Sequence, residues 1–120
     1  MQKRPLLTDT IKASGNIAEH RFVTCANEQA DEAGAIVAGV SDTAIEAGGY
    51  GAIDVLGTTL VDVGGTISRG DDLATDENGK AVKAEEGQYV CARALYDAAA
   101  GQTTEVLLIH SPAPEAEDGE

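Results

Sequence analysis

Apolar residues alternate with polar ones in short runs, and glycine-rich breaks separate the runs. This period of two predicts strands. The first is His20 to Ala26, around Phe22; a second is Ala35 to Val40. A third is Ala52 to Leu56, where Ile53 and Val55 alternate with Asp54. The central stretch, residues 57–83, reads as strand, turn, short strand, hairpin, strand. Thr58 to Val63 is β-branched, and Gly64-Gly65 breaks it. Ile67 restarts it, Ser68 to Asp71 turns, and Leu73 to Thr75 is extended. Asp76-Glu77-Asn78-Gly79 is the strongest turn in the chain and predicts a type I′ hairpin returning through Lys80 to Lys83. Gln88 to Leu95 and Glu105 to His110 complete the set. Thr43 to Ala47 allows one helical turn within a loop.

A shift of fifty-three residues lays segment 34–56 over segment 87–109 without a gap. Gly34/Gly87, Val37/Val90, Ala47/Ala100 and Gly48/Gly101 are identical, and Ile53/Val106 and Val55/Leu108 stay apolar. The echo predicts two strand–loop–strand units joined by the central hairpin. An alternating chain rich in Ala and Gly also matches itself this well by chance. The predicted fold is all-β: a thin barrel or sandwich, closed or nearly closed, of about eight short strands. It spans 18–110, between an extended N-terminal arm over 1–17 and an acidic tail over 111–120. Within 120 residues the core is modest, and one Phe with no Trp leaves it to Val, Ile, Leu and Ala.

The net charge of −13 speaks against nucleic acid and anionic membranes as partners, since both select Lys and Arg. The charge is uneven. Lys3, Arg4, Lys12 and Arg21 against Asp9 and Glu19 leave residues 1–21 at +2, so the remainder carries −15. A basic arm on an acidic body suits docking, although a frayed terminus can have the same composition. No apolar segment of transmembrane length or secretory type is present. Cys25 and Cys91 fall in apolar runs and read as buried free thiols, with a single disulfide as the alternative.

Candidate chemistry is sparse. In the acidic run 71–79, Asp76, Asn78, Gly79 and Glu85 fall at calcium-loop positions three, five, six and twelve. Ala74 stands where the first carboxylate is required. Residues 64–70 are glycine-rich but lack the GK[ST] ending of a phosphate loop. His20 and His110 have no nucleophile motif beside them. No catalytic residue, metal ligand or cofactor site is predicted, and the expectation is a non-enzymatic protein. Lys80, close to a hairpin tip, raises a rival reading as the modified lysine of a lipoyl- or biotinyl-type carrier. Its Glu77-Asn78-Gly79-Lys80-Ala81 context departs from the Asp-Lys-Ala and Met-Lys-Met tips of those domains.

The run Val63-Gly-Gly-x-Ile67-x-x-Gly70-Asp71-x-Leu73-x-x-Asp76-x-x-Gly79-Lys80-Ala81-Val82 resembles the capsid cement, or decoration, proteins of tailed bacteriophages. So do Gly87, Val90-Cys-Ala-Arg-Ala94-Leu95, the Asp-Ala-Ala-Ala-Gly101 loop, the closing Val106-Leu-Leu-Ile109 strand and the upstream Phe22-Val23 pair. The resemblance covers about residues 20–110. It implies a small β-barrel or β-tulip-like domain, and a non-enzymatic virion protein that binds the outer surface of the expanded capsid and stabilises it. It implies the major capsid protein as partner, and self-association as a trimer or dimer at a capsid symmetry axis. Synthesis would be in the bacterial host cytoplasm. A phage tail or baseplate β module is the neighbouring alternative. On this reading the arm is the capsid-binding segment, with Leu6, Leu7 and Ile11 as anchors and Lys3, Arg4 and Lys12 as steering charges. Deleting residues 1–17 should then abolish binding and leave the body folded.

Overall fold

The structure, a computed structural model, describes residues 3–110. It is all-β, with eight strands in a nearly closed, barrel-shaped sheet. The strands are β1 (Pro5–Lys12), β2 (Phe22–Val23), β3 (Gly39–Ser41), β4 (Tyr50–Asp62), β5 (Asp72–Thr75), β6 (Ala81–Lys83), β7 (Ala92–Ala94) and β8 (Thr103–Leu108). They run in the order β2-β3-β4-β8-β7-β5-β6, and β1 pairs with β4.

β4 is the spine. Its 13 residues merge what the sequence pattern separates at Gly57 into two strands. The first half pairs with β1 and β3, and the second half pairs with β8. Gly57 sits mid-strand at φ +96°, where a Cβ would stand 2.4 Å from the Arg4 carbonyl oxygen and 2.6 Å from the Leu6 nitrogen. Glycine here allows β1 to approach β4.

The echo is a structural repeat. A shift of fifty-three residues carries β3 onto β7 and the start of β4 onto β8. A shift of fifty carries β1 onto the second half of β4: Thr8↔Asp54 becomes Thr58↔Leu107, and Lys12↔Tyr50 becomes Asp62↔Thr103. Likewise β2 maps onto the start of β5, with Phe22↔Val40 becoming Asp72↔Arg93. The loops follow. Ile17 donates its N–H to the Ile45 carbonyl at 2.8 Å, and Ile67 donates to Ala98 at 2.9 Å. Because β4 and β8 are equivalent yet antiparallel, the units face each other about the middle of β4. They are joined by that shared strand, not by the central hairpin.

The core repeats as well. Ile11, Ala13, Ile17, Val23, Ile45 and Ile53 form one buried cluster. Their equivalents Val61, Val63, Ile67, Leu73, Ala98 and Val106 all belong to the other. That larger cluster also takes Phe22, Val37 and Val40 from the first unit and so binds the two together. The β5–β6 hairpin reinforces this seam. Asn78 O accepts from Arg21 Nη1 at 3.0 Å and Gln29 Nε2 at 2.9 Å, and Gly79 O accepts from the Phe22 N–H at 2.8 Å.

Several sequence expectations need correction. Residues 5–12, expected in a separate arm, are β1, paired with β4 over Pro5 to Lys12. The strand expected over His20 to Ala26 shortens to Phe22–Val23, because His20 and Asn27 turn the chain at φ +60° and +64°. Cys25 therefore lies in a turn and is exposed, while Cys91 is buried; both are free. Thr43 to Ala47 is not helical, and Ile45 instead bridges Ile17. Ile67 makes only an isolated bridge to Ala98. The hairpin at Asp76 to Gly79 forms, but only Gly79 takes positive φ, so it is not type I′. Asp76 Oδ1 accepts the N–H groups of Asn78 at 2.8 Å and Lys80 at 2.9 Å and shapes the turn instead. The acidic tail, 111–120, lies outside the described residues.

Candidate functional site: a leucine face at the middle of β4

Along β4, Ile53, Asp54, Thr59 and Val61 are buried, whereas Leu56 is exposed and Thr58 and Leu60 are half-covered. Leu7 lies opposite Leu56, and Leu107 lies opposite Thr58. Residues paired across an antiparallel ladder share a face. Leu7 on β1, Leu56 on β4 and Leu107 on β8 therefore lie on strand segments that adjoin one another at Gly57. Leu6 joins them through irregular pairing: the register shifts between Pro5 and Leu7 and again between Leu7 and Thr8. Such irregularity re-aims side chains. Leu6 is 83% exposed, Leu7 49%, Leu56 43% and Leu107 38%. Four large apolar side chains exposed on adjoining strand segments have the composition that interaction surfaces share.

Arg4 borders the patch. Its N–H donates to Thr58 Oγ1 at 2.7 Å, and its carbonyl accepts from the Thr58 N–H at 3.1 Å. It lines a cleft with Leu95, Tyr96 and Glu105. Tyr96 is 49% exposed. Farther out, Arg93 Nη2 meets Asp72 Oδ1 at 3.3 Å in an exposed pair.

The six residues proposed from sequence divide by position. Arg4, Leu6 and Leu7 lie on the leucine face. Lys12 is exposed at the other end of β1, opposite Tyr50. Ile11 is 8% exposed and belongs to the protein's own core. Lys3 Nζ is turned inward, to Asp54 Oδ2 at 2.8 Å and to Asp42 Oδ1. Desolvation pulls its ammonium down, but the Asp42 and Asp54 carboxylates outweigh that and raise it above its ordinary value. Sequence reasoning missed Leu56, Leu107 and Tyr96. For Leu107 the signal is its place between inward Val106 and Leu108.

A second concavity of about 290 Å³ lies at the seam. The equivalent segments Ile36 to Ala38 and Tyr89 to Cys91 face it, with Cys25 and His110 at its wall. His110 Nε2 lies 2.6 Å from the Val55 carbonyl oxygen. Burial pushes the Cys91 thiol up to about 11, against a smaller lowering by a hydrogen bond with the Thr75 backbone. A thiol so buried is a poor nucleophile at neutral pH.

With this geometry established, the comparisons decide the family. The phage cement protein family matches residues 1–109. The chain belongs to that family. The cement-family match spans β1 as well as the barrel, so the strand carrying Leu6 and Leu7 is within it. The fold is similar to that of the N base of head fiber gp8.5 in bacteriophage phi29. That match has a TM-score of 0.72 and 23% identity, over 91% of this chain and 98% of that one. Among curated proteins none matches.

Proposed function

We propose that this chain is a structural virion protein that binds the outer surface of the expanded phage capsid through its leucine face and reinforces the shell. Membership of the phage cement protein family is the observation that carries this reading. The exposed leucines supply a contact of suitable chemistry. Burying one leucine side chain contributes about 1.5–3 kcal/mol. A few partly exposed leucines, less the cost of association, give a weak contact per copy. A shell repeats the contact many times, and simultaneous attachment turns weak sites into avid binding if copies also touch one another.

The proposed partner is the major capsid protein, with self-association as a trimer or dimer at a symmetry axis and synthesis in the host cytoplasm. No catalytic step, cofactor, nucleic acid or membrane is part of this function. The carrier alternative loses support from the turn before Lys80, which packs on Arg21, Phe22 and Gln29 instead of projecting.

The test is co-sedimentation with shells of the protein's own phage. The wild type should pellet with expanded shells at a saturable ratio and stay in solution with unexpanded ones. The Leu6→Ser/Leu7→Ser variant should bind about a hundredfold more weakly, as expected for losing two apolar anchors. Failure of the wild type to pellet would end the capsid reading. Unchanged binding by the variant would move the contact off this face.

A further inference from the structure

The leading end of β1 has no apolar anchor. Ile11 is the one buried residue of the strand, and it lies near the far end. Leu6 and Leu7, the most exposed leucines of the patch, sit in the irregular stretch where backbone pairing is least regular. Something else must fix their direction.

Asp54 bonds to residues on both sides of them. It is 1% exposed. Its Oδ2 accepts from Lys3 Nζ at 2.8 Å and Thr59 Oγ1 at 2.7 Å, and its Oδ1 accepts from Thr8 Oγ1 at 3.2 Å. Lys3 precedes the irregular stretch and Thr8 follows it. One buried carboxylate on β4 therefore grips both ends of the segment that displays Leu6 and Leu7. Lys3 is gripped again by Asp42, in the loop after β3.

The repeat shows that this grip is not required by the unit's fold. The second-unit equivalent of Asp54 is Leu107, which faces solvent and belongs to the leucine patch. The same sheet position is thus filled by a leucine that displays itself in one unit and by a carboxylate that holds a neighbouring strand in the other. Removing one partner of a buried ion pair strands the other, so breaking the pair is costly even where its net contribution to stability is small.

We propose that the Lys3–Asp54 pair positions the leucine face: it fixes the β1 irregularity and so aims Leu6 and Leu7 at the capsid. Lys3 is then a positioning residue and not a shell contact. This inference rests on the capsid-binding reading above.

The test uses the full chain in four forms: wild type, Lys3→Met, Lys3→Arg, and the Lys3→Met/Asp54→Asn double variant. The double variant removes the stranded charge should Lys3→Met fail to fold. Two quantities are measured: co-sedimentation with expanded shells, and amide hydrogen exchange in β1 against β8. Lys3→Met and the double variant should bind about tenfold more weakly, the scale of one misplaced anchor. Their exchange should quicken at Leu6 to Thr8 while Thr103–Leu108 is unchanged. Lys3→Arg should retain binding and protection. Wild-type binding by the double variant would overturn the proposal. So would lost binding with unchanged β1 exchange, which would make Lys3 a direct contact. If the wild type itself does not pellet, the capsid reading fails; the exchange data alone then decide whether the pair holds β1.

Discussion

Gly57 shows how one residue connects local geometry to the surface. A Cβ there would meet the backbone of Arg4 and Leu6, and the φ of +96° is unfavourable for any other residue. The expected outcome for Gly57→Ala is a loss of about 2 kcal/mol in chemical denaturation. Amide exchange should quicken along β1 before it does elsewhere. The two thiols make a second residue-scale contrast. Cys25 should react at once with a thiol reagent in the native protein, and Cys91 only after unfolding. Mass spectrometry of the labelled chain distinguishes them. Prompt labelling of both would contradict the packing described around β7.

At the scale of elements, β1 is the strand whose role changes most from what its residues suggest. Pro5, Lys12 and the polar Thr8, Asp9 and Thr10 look like a solvated arm, and six of the first seven residues of the strand are exposed. Yet the strand supplies Ile11 to the first core and continues into Ala13 and Ile17 of the same cluster. Deleting residues 1–13 should remove Ile11 and Ala13 from that cluster and leave Asp54 without its cation. The expected result is loss of the cooperative thermal transition, read by circular dichroism, and not a folded body that merely fails to bind. The sequence pattern located β5 and β6 because the strong turn at Asp76 to Gly79 brackets them, and β8 because it alternates. It split β4 at Gly57, because a glycine inside a strand has the same local appearance as a boundary. It set β1 apart because an outer strand with one inward residue has almost no hydrophobic period. Leu6 and Leu7 were legible as exposed apolar residues. Leu56 was not, since its place in the patch depends on a partner some fifty positions away.

At the scale of the molecule, the repeat explains how so few aromatic residues suffice. Two sets of six Ile, Val, Leu and Ala residues fill equivalent positions in the two units, and Phe22, the one Phe, joins the larger cluster at the seam between them. Phe22→Ala should cost about 3–5 kcal/mol in chemical denaturation, a large fraction of the stability of a small domain. Protonation also acts on the whole. Cys91 keeps its proton to about 11 when folded, against an ordinary 9.0, and Lys3 is likewise raised above 10.5. In both, the folded state holds the proton more tightly than the unfolded state. Stability is therefore fully present below about pH 9, falls as the unfolded thiol ionises, and falls further once Lys3 deprotonates. The Cys91 part of this loss is roughly 2–3 kcal/mol between pH 9 and 11. Thermal midpoints across that range should decline for the wild type and decline less for Cys91→Ala.

The most direct measurement of the central claim is an electron-microscopy reconstruction of expanded shells saturated with the protein. Leu6, Leu7, Leu56 and Leu107 should face the shell's outer surface and be buried against the major capsid protein. A reconstruction in which the barrel contacts the shell by another face, with these four leucines directed to solvent, would contradict it.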